Sequence, residues 1–178
     1  MASFTAPASG GGSPRIPSLA CQSRRAAEPA LYGGLRPGEA LALTWAHVRD
    51  RTILVEAAVS IGRLAETKTR RRRTVRLLSP LAEDLEGFRQ RAQRPDGELI
   101  FPRPDGDPWR RTDYQNWRRR IYIPAADAAG VEIARPYDLR HSFVSLLIAE
   151  GHNVVEVARQ AGRSPKVALD TYAHVFEE

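Results

Sequence analysis

Tyr137-Asp138-Leu139-Arg140-His141-Ser142-Phe143, followed by Gly162-Arg163-Ser164-Pro165 and then by Thr171-Tyr172-Ala173-His174-Val175, is the stretch whose reading decides the fold. Leu139, Phe143, Leu146 and Leu147 recur at helical spacing, so the first piece predicts a helix with an apolar face, capped by Asp138 and ended by Gly151. Asn153 caps a second helix carrying Val154, Val157, Ala158 and Ala161, and Gly162 ends it. Ser164 followed by Pro165 is a cap and first-turn pair for a last helix that carries Tyr172 about two turns in. Tyr137 and Arg140, three apart across a helix start, face one side and can present both groups to an anion at the positive end of that helix. An arginine one turn after a polar aromatic, a second turn and a late tyrosine point to phosphodiester cleavage with tyrosine as nucleophile.

Working outward, Gly34-Leu35-Arg36-Pro37-Gly38-Glu39-Ala40-Leu41 supplies a second arginine just before a helix start, with proline in the first turn and Glu39 near the positive end of the dipole. That short helix is expected to run through Leu41, Leu43 and Trp45, and Glu39, one turn from Arg36, can pair with it. Thr52-Ile53-Leu54-Val55 and Thr74-Val75-Arg76-Leu77-Leu78 read as strands of a small antiparallel sheet, separated by a long basic connection with Arg70, Arg71, Arg72 and Arg73, and Lys68 falls in that connection or on a middle strand within it. Leu81, Leu85 and Phe88 mark an amphipathic helix capped by Ser79. Residues 94 to 108 read as a proline-broken loop with one strand around Leu99-Ile100-Phe101. A helix from about Thr112 carries Trp117 and Ile121 until Pro124 kinks or ends it. The fold class is therefore α+β, mainly α-helical with a small antiparallel β-sheet.

A chain of 178 residues holds one main domain with a sizeable core. Its net charge of +6 and pI near 10.1 favour a polyanionic partner over an acidic small molecule. Cys21 is the single cysteine, so an internal disulfide is excluded and nothing argues for an oxidising compartment; a cytoplasmic location is expected. The N-terminus has no unbroken apolar run of the kind a signal peptide or membrane span needs. Residues 1–28 are rich in Ser, Ala, Gly and Pro and read as a poorly anchored arm, leaving 29–178 as the folded domain. His47, His141, His152 and His174 are scattered and lack a cysteine or carboxylate cluster at ligand spacing, so no metal and no other cofactor is expected.

From about Ala30 to Val175 the sequence resembles the catalytic domain of the tyrosine recombinase (phage integrase) family, on the Gly-Leu-Arg turn, Lys68, the Tyr137-to-Phe143 motif, Gly162-Arg163 and the Tyr-Ala-His-Val ending. The resemblance implies that family's catalytic-domain fold and site-specific DNA recombination or integration. It also implies double-stranded DNA as partner, self-association on that DNA, no membrane and no small-molecule substrate. Family members carry a separate N-terminal helical domain that this chain lacks, so it reads as truncated.

Cleaving a DNA phosphodiester requires charge neutralisation, an aligned nucleophile and a proton for the departing oxygen. Arginine suits the non-bridging oxygens because its planar fork stays charged and bonds two of them at once. Lysine suits the proton-donor role because its pKa falls beside other cations. Carried over from the family, Tyr172 is the nucleophile that forms a 3′-phosphotyrosyl intermediate and frees a 5′-hydroxyl. Arg36 and Arg140 are the phosphate clamp, and Lys68 protonates the 5′ oxygen. Tyr137 stands where histidine is more usual, and Arg163 where histidine or tryptophan is. Tyr137, with an unperturbed pKa near 10, is a poor proton acceptor. Arg70 to Arg73 are expected to contact the DNA backbone without base specificity. His141 and His174 read as structural hydrogen bonders. Two other readings remain open at this point: a DNA-binding remnant of an integrase, impaired in catalysis, and an unrelated basic helical interaction module.

Overall fold

The computed structural model of the chain describes residues 33–60, 62–66, 72–93, 95–128, 130 and 135–176. Arg36 precedes a single helical turn, α1 (Pro37–Ala40), in which the Glu39 carboxylate reaches back to accept from the Arg36 backbone N–H at 2.8 Å. The chain leaves the helix at Leu41, earlier than expected, because the next residues pair elsewhere. Leu43 O accepts from the Ile100 N–H at 2.8 Å, and Thr44 forms an isolated bridge with Leu99. Leu41, Leu43 and Trp45 are buried all the same, Trp45 in a 3₁₀ turn over Trp45–His47.

Strands β1 (Thr52–Val55), β2 (Ala57–Ser60), β3 (Arg63–Glu66) and β4 (Arg73–Arg76) form two antiparallel ribbons, β1 with β4 and β2 with β3. In the first, Ile53 faces Val75 and Val55 faces Arg73. Ile53, Val55 and Val75 are buried, the alternation expected of a sheet with one covered face. The second ribbon lies inside the connection that reads from sequence as a basic link between the outer strands. Leu64 on β3 is exposed, so the β2–β3 ribbon carries little of the apolar alternation that marks a strand.

Helix α2 (Ser79–Ala92) buries Leu81, Leu85 and Phe88, as the stripe predicts. Its cap differs from expectation: Leu78 holds that position and Ser79 and Pro80 are the first helical residues, where the proline's missing N–H costs no hydrogen bond. Trp45, Phe88 and Phe101 pack in sequence, with ring centroids 5.9 and 6.0 Å apart. Helix α3 (Arg111–Trp117) runs through a π turn (Arg118–Tyr122) into α4 (Ile123–Ala128). The Ile123 N–H donates to Arg118 O, so the wide turn sits just before Pro124, whose ring has no donor to contribute.

The last three helices are α5 (Asp138–Ala149), α6 (Val154–Ala161) and α7 (Pro165–Phe176). Asn153 caps α6 by accepting from the N–H groups of Val155 and Glu156, and the Ser164 hydroxyl accepts from Val167 N–H at the start of α7. Asp138 is not the cap of α5. Tyr137 occupies that position, and the Asp138 carboxylate accepts from the Arg135 N–H at 3.0 Å. On α5 the buried residues are Leu139, Arg140, Phe143, Val144, Leu147 and Ile148, an arc centred on Arg140 at about 100° per residue. Leu146 falls at the margin of that arc and is 58% exposed, against the expectation that it belongs to the core face. The packing of α5 thus carries its arginine into the interior. Among the described residues no helix is long and apolar enough to cross a membrane.

Gly34 adopts φ +57°, and a Cβ there would lie 2.2 Å from Cδ1 of the buried Phe143. Gly34→Ala combines a left-handed backbone cost of about 1–2 kcal/mol with overpacking of about 1–3 kcal/mol. The expected result is a Tm lower by roughly 5–15 °C at full helical content by circular dichroism; an unchanged Tm would contradict this packing.

Candidate active site

The site is organised by a carboxylate. Glu39 is 2% exposed, and two guanidinium groups close on it. Arg36 Nη1 donates to Oε1 at 2.8 Å; Arg73 donates through Nη1 to Oε1 at 3.0 Å and through Nη2 to Oε2 at 2.7 Å. Burial alone would raise the Glu39 pKa. The hydrogen bond and charge of Arg73, then the backbone and charge of Arg36, overcome it and hold the carboxyl down at about 2.

The C-terminal end of α6 is the second fixture. Helix-end carbonyls lack intrahelical partners and carry the negative end of the dipole, so they attract cations. Arg36 Nη2 donates to Gly162 O at 3.2 Å, Arg73 Nε to Gln160 O at 3.1 Å, and Arg140 Nη2 to Ala161 O. Arg140 Nη1 donates to Gly34 O, which ties α5 to the turn that carries Arg36. Three arginines distant in sequence therefore meet at three consecutive carbonyls. Gly162, at φ +59°, makes room for them, since a Cβ there would stand 2.9 Å from the Arg73 guanidinium carbon.

Arg140 is 1% exposed, and its Nε is buried without an acceptor. Burial, reinforced by the charge of Arg36, pulls its pKa to about 10, with Glu39 acting in the opposite sense. It stays cationic at neutral pH. An interior cation with one unpaired donor has an unmet requirement for negative charge.

Around this centre lie the aromatic groups. Arg163 Nη2 donates to Tyr137 Oη at 2.6 Å. Burial would raise the Tyr137 pKa, but the Arg163 hydrogen bond and the charges of Arg140, Arg163 and Arg36 lower it. The two residues that depart from the family pattern therefore act on each other: the arginine makes the phenol more acidic. Tyr172 packs with Ala168 on the inner face of α7, is 4% exposed, and has its Oη 2.7 Å from His141 Nδ1. The His141 ring lies between the two tyrosines, centroids 5.3 Å from Tyr137 and 5.7 Å from Tyr172. Burial raises the Tyr172 pKa against the charges of Arg163 and Arg140.

Arg36, Tyr137, Arg140, Arg163 and Tyr172 are thus joined through the carbonyls of 160–162 and the His141 ring. Lys68 lies outside the described residues, as do Arg70 and Arg71. Arg73 corrects the expectation of a DNA-facing run: its side chain is 10% exposed and its donors are taken by Glu39 and Gln160. Arg72 is 79% exposed with Nε 3.1 Å from Glu56, and so is the described member of the run open to a polyanion. His141, which reads from sequence as a structural hydrogen bonder, stands between the two site tyrosines. It follows Tyr137 by four, the spacing that stacks side chains on one helix face, and that was the available signal. His174 is exposed.

A family model described as the phage integrase family matches residues 13–178. An integrase of Streptomyces ambofaciens is 33% identical over 156 residues, covering 76% of this chain and 39% of that protein; the chain spans well under half of that relative's length. Among solved structures, the Tn1549 transposon integrase in complex with transposon right end DNA superposes with a TM-score of 0.71 at 20% identity, over 86% of this chain and 55% of that one. XerH recombinase bound to a palindromic difH substrate in a post-cleavage complex gives 0.63 at 21%, over 92% and 48%. The catalytic domain of bacteriophage HP1 integrase gives 0.55 at 20%, over 90% and 83%. These structural likenesses bear out the expected fold.

Two consequences of the site can be measured. A carboxyl depressed from 4.5 to about 2 contributes stability that is present above its ordinary pKa and lost as pH falls toward 2. Glu39→Gln is therefore expected to be less stable at pH 7 by about 3 kcal/mol, with that deficit shrinking through the acid range in urea unfolding; an equal deficit at pH 3 and pH 7 would contradict it. Tyr137 is the described tyrosine with a lowered pKa, whereas Tyr114, Tyr122 and Tyr172 are raised. Its phenolate absorbance is expected below pH 10, absent in Tyr137→Phe and moved to higher pH in Arg163→Gln. An Arg163→Gln titration identical to wild type would refute the coupling.

Proposed function

The chain belongs to the phage integrase family, and we propose that it breaks and rejoins DNA strands in site-specific recombination, with Tyr172 as the covalent nucleophile. The observation that carries this reading is the meeting of Arg36 and Arg140, from both ends of the described chain, at the C-terminal end of α6, with Arg163 bonded to Tyr137 beside them and Tyr172 connected to Tyr137 through the His141 ring. A scissile phosphate brought there meets fixed cations. Charge developing on its non-bridging oxygens is stabilised with no reorganisation at the moment of reaction. Arg140, held on two sides by backbone, contributes a cation that cannot swing away. Arg36, whose side chain is 37% exposed, is the more accessible arm of the clamp.

The chemistry follows from the residue types. Tyr172 Oη attacks the phosphorus, the bond to the 5′ oxygen breaks, and a 3′-phosphotyrosyl ester conserves the bond energy. Lys68 supplies the proton that the 5′ oxygen takes up. The 5′-hydroxyl of the same or a second strand then reverses the sequence and releases the tyrosine. Double-stranded DNA is the partner, copies of the chain associate on it, and Arg70, Arg71 and Arg72 add backbone contacts. The integrase names of the Streptomyces relative and of the Tn1549 protein support this reading, as does the post-cleavage DNA complex described for XerH.

The test is covalent trapping on a nicked duplex carrying a site selected by the protein from a random pool. Cleavage next to the nick releases a short fragment and leaves a denaturant-resistant adduct. The adduct is expected with wild type and not with Tyr172→Phe, which still binds. Salt-sensitive binding with no adduct would instead favour the catalytically impaired remnant. Arg72→Ala is expected to weaken binding uniformly across sequences and to reduce the salt slope by about 1; a sequence-selective loss would contradict a backbone contact.

A further inference from the structure

Strand cleavage through Tyr172 leaves one proton unassigned. The phenol must lose it as Oη bonds to phosphorus, and Lys68 can only give protons while it remains charged. Tyr137, standing where the family more often has histidine, is a phenol whose oxygen already accepts from Arg163 at 2.6 Å. The imidazole expected there is found one helical turn further along α5. His141 Nδ1 lies 2.7 Å from Tyr172 Oη, and the two rings are 5.7 Å apart at 47°. Resting on the strand-cleavage reading, we propose that His141 is the proton acceptor for Tyr172 during cleavage and returns the proton during rejoining.

The surroundings fit a neutral imidazole with its lone pair on Nδ1. The charged and titratable groups acting on His141 are Asp138 and Arg140 on its own helix, Arg163 from the turn after α6, Tyr137 beside its ring and Tyr172 on α7. Burial, then Arg163, then Arg140 push its pKa below 6.5, while Asp138 pushes the other way. The ring is therefore neutral at pH 7, and the proposed transfer uses the tautomer with its hydrogen on Nε2, which leaves Nδ1 to accept from Tyr172 Oη.

A phenol at its ordinary pKa is about 3.5 units less acidic than an imidazolium, so the proton stays on Tyr172 until the nucleophile engages phosphorus. The transfer then runs with the bond change. The Oη–P bond forms, the P–O5′ bond breaks, the phenol proton passes to Nδ1, and the 5′ oxygen takes a separate proton from Lys68. In the reverse step the 5′-hydroxyl attacks phosphorus and gives its proton back to the neutral Lys68, the P–O5′ bond forms, the Oη–P bond breaks, and Tyr172 recovers its proton from His141. Nothing is oxidised or consumed. The two proton transfers use different groups, His141 for the phenol and Lys68 for the 5′ oxygen.

The deciding substitution is His141→Asn, because an asparagine oxygen keeps an acceptor near the Nδ1 position but cannot take the proton. Single-turnover cleavage of the nicked duplex is expected to fall by roughly 10²–10⁴-fold at unchanged DNA affinity and unfolding temperature. Wild type is expected to lose rate as His141 protonates, below pH 6.5, and His141→Asn is expected to lack that loss. A duplex with sulfur at the 5′ bridging position has a leaving group that needs no proton. It is expected to restore Lys68→Ala and not His141→Asn. Near-wild-type cleavage by His141→Asn, or its rescue by the sulfur substrate, would overturn the assignment while leaving Tyr172 as nucleophile. Absence of any adduct from wild-type protein would instead overturn the strand-cleavage reading itself.

Histidine ¹⁵N NMR checks the same bond without DNA and without a His141 variant. The expected signal is an Nε2–H tautomer whose pKa rises in Tyr172→Phe, because the lost hydrogen bond had favoured the neutral ring. An Nδ1–H tautomer would overturn the proposal.

Discussion

The buried Glu39 carboxylate is the constraint on which the rest of the site depends. A cluster of guanidinium groups in the interior repels itself, and each cation loses hydration when it is covered. One carboxylate, nearly inaccessible to water, takes Arg73 in a two-pronged pair and Arg36 on the same oxygen that Arg73 Nη1 reaches. The carbonyls at the end of α6 supply the remaining negative potential, and there Arg140 is secured as well. The compensation is partial by construction, because the three guanidinium groups have a single carboxylate near them, and it bonds only Arg36 and Arg73. What remains is a preorganised positive site fixed by backbone and core packing. The proposed phosphodiester ligand brings the negative charge and the paired oxygens that guanidinium groups bond.

This arrangement explains why the fold brings distant residues together. Gly34 and Gly162 hold the two turns in left-handed conformations that side chains would block, one against Phe143 and the other against Arg73. The arc of α5 that packs into the core is centred on Arg140, so burial of Leu139, Phe143, Val144 and Leu147 delivers the guanidinium inward. The same helix presents Tyr137 and His141 one turn apart toward α7, where Tyr172 closes the group. Stability and site geometry therefore rest on the same contacts, and a variant that loosens one is expected to disturb the other.

Much of this was legible in the sequence. The α2 stripe, the Asn153 and Ser164 caps and the glycine stops are local signals with a fixed physical meaning, and each appears where the pattern puts it. Arg36, Arg140, Arg163 and Tyr172 stand out by motif; Arg36 and Arg140 meet at the end of α6, Arg163 bonds Tyr137, and Tyr172 connects to them through His141. The errors share a cause, which is that long-range partners override local preference. Leu41 to Trp45 carries helix formers yet pairs with the 99–101 segment. Arg73 belongs to an arginine run that reads as solvated, but its strand position opposite Val55 points it at Glu39. Leu146 has the helical spacing of a core residue and lies at the margin of an arc set by its neighbours. The i+4 spacing puts His141 on the face of Tyr137, but its contact with Tyr172 depends on where the last helix packs.

The central claim is that Tyr172 is the residue that becomes joined to DNA at this cationic site. The most direct measurement is mass spectrometry of the trapped adduct after protease and nuclease digestion. The account predicts a nucleotide linked through its 3′ phosphate to Tyr172, in the tryptic peptide that follows Lys166. A nucleotide on any other residue, or a DNA complex whose peptides are all unmodified, would contradict it.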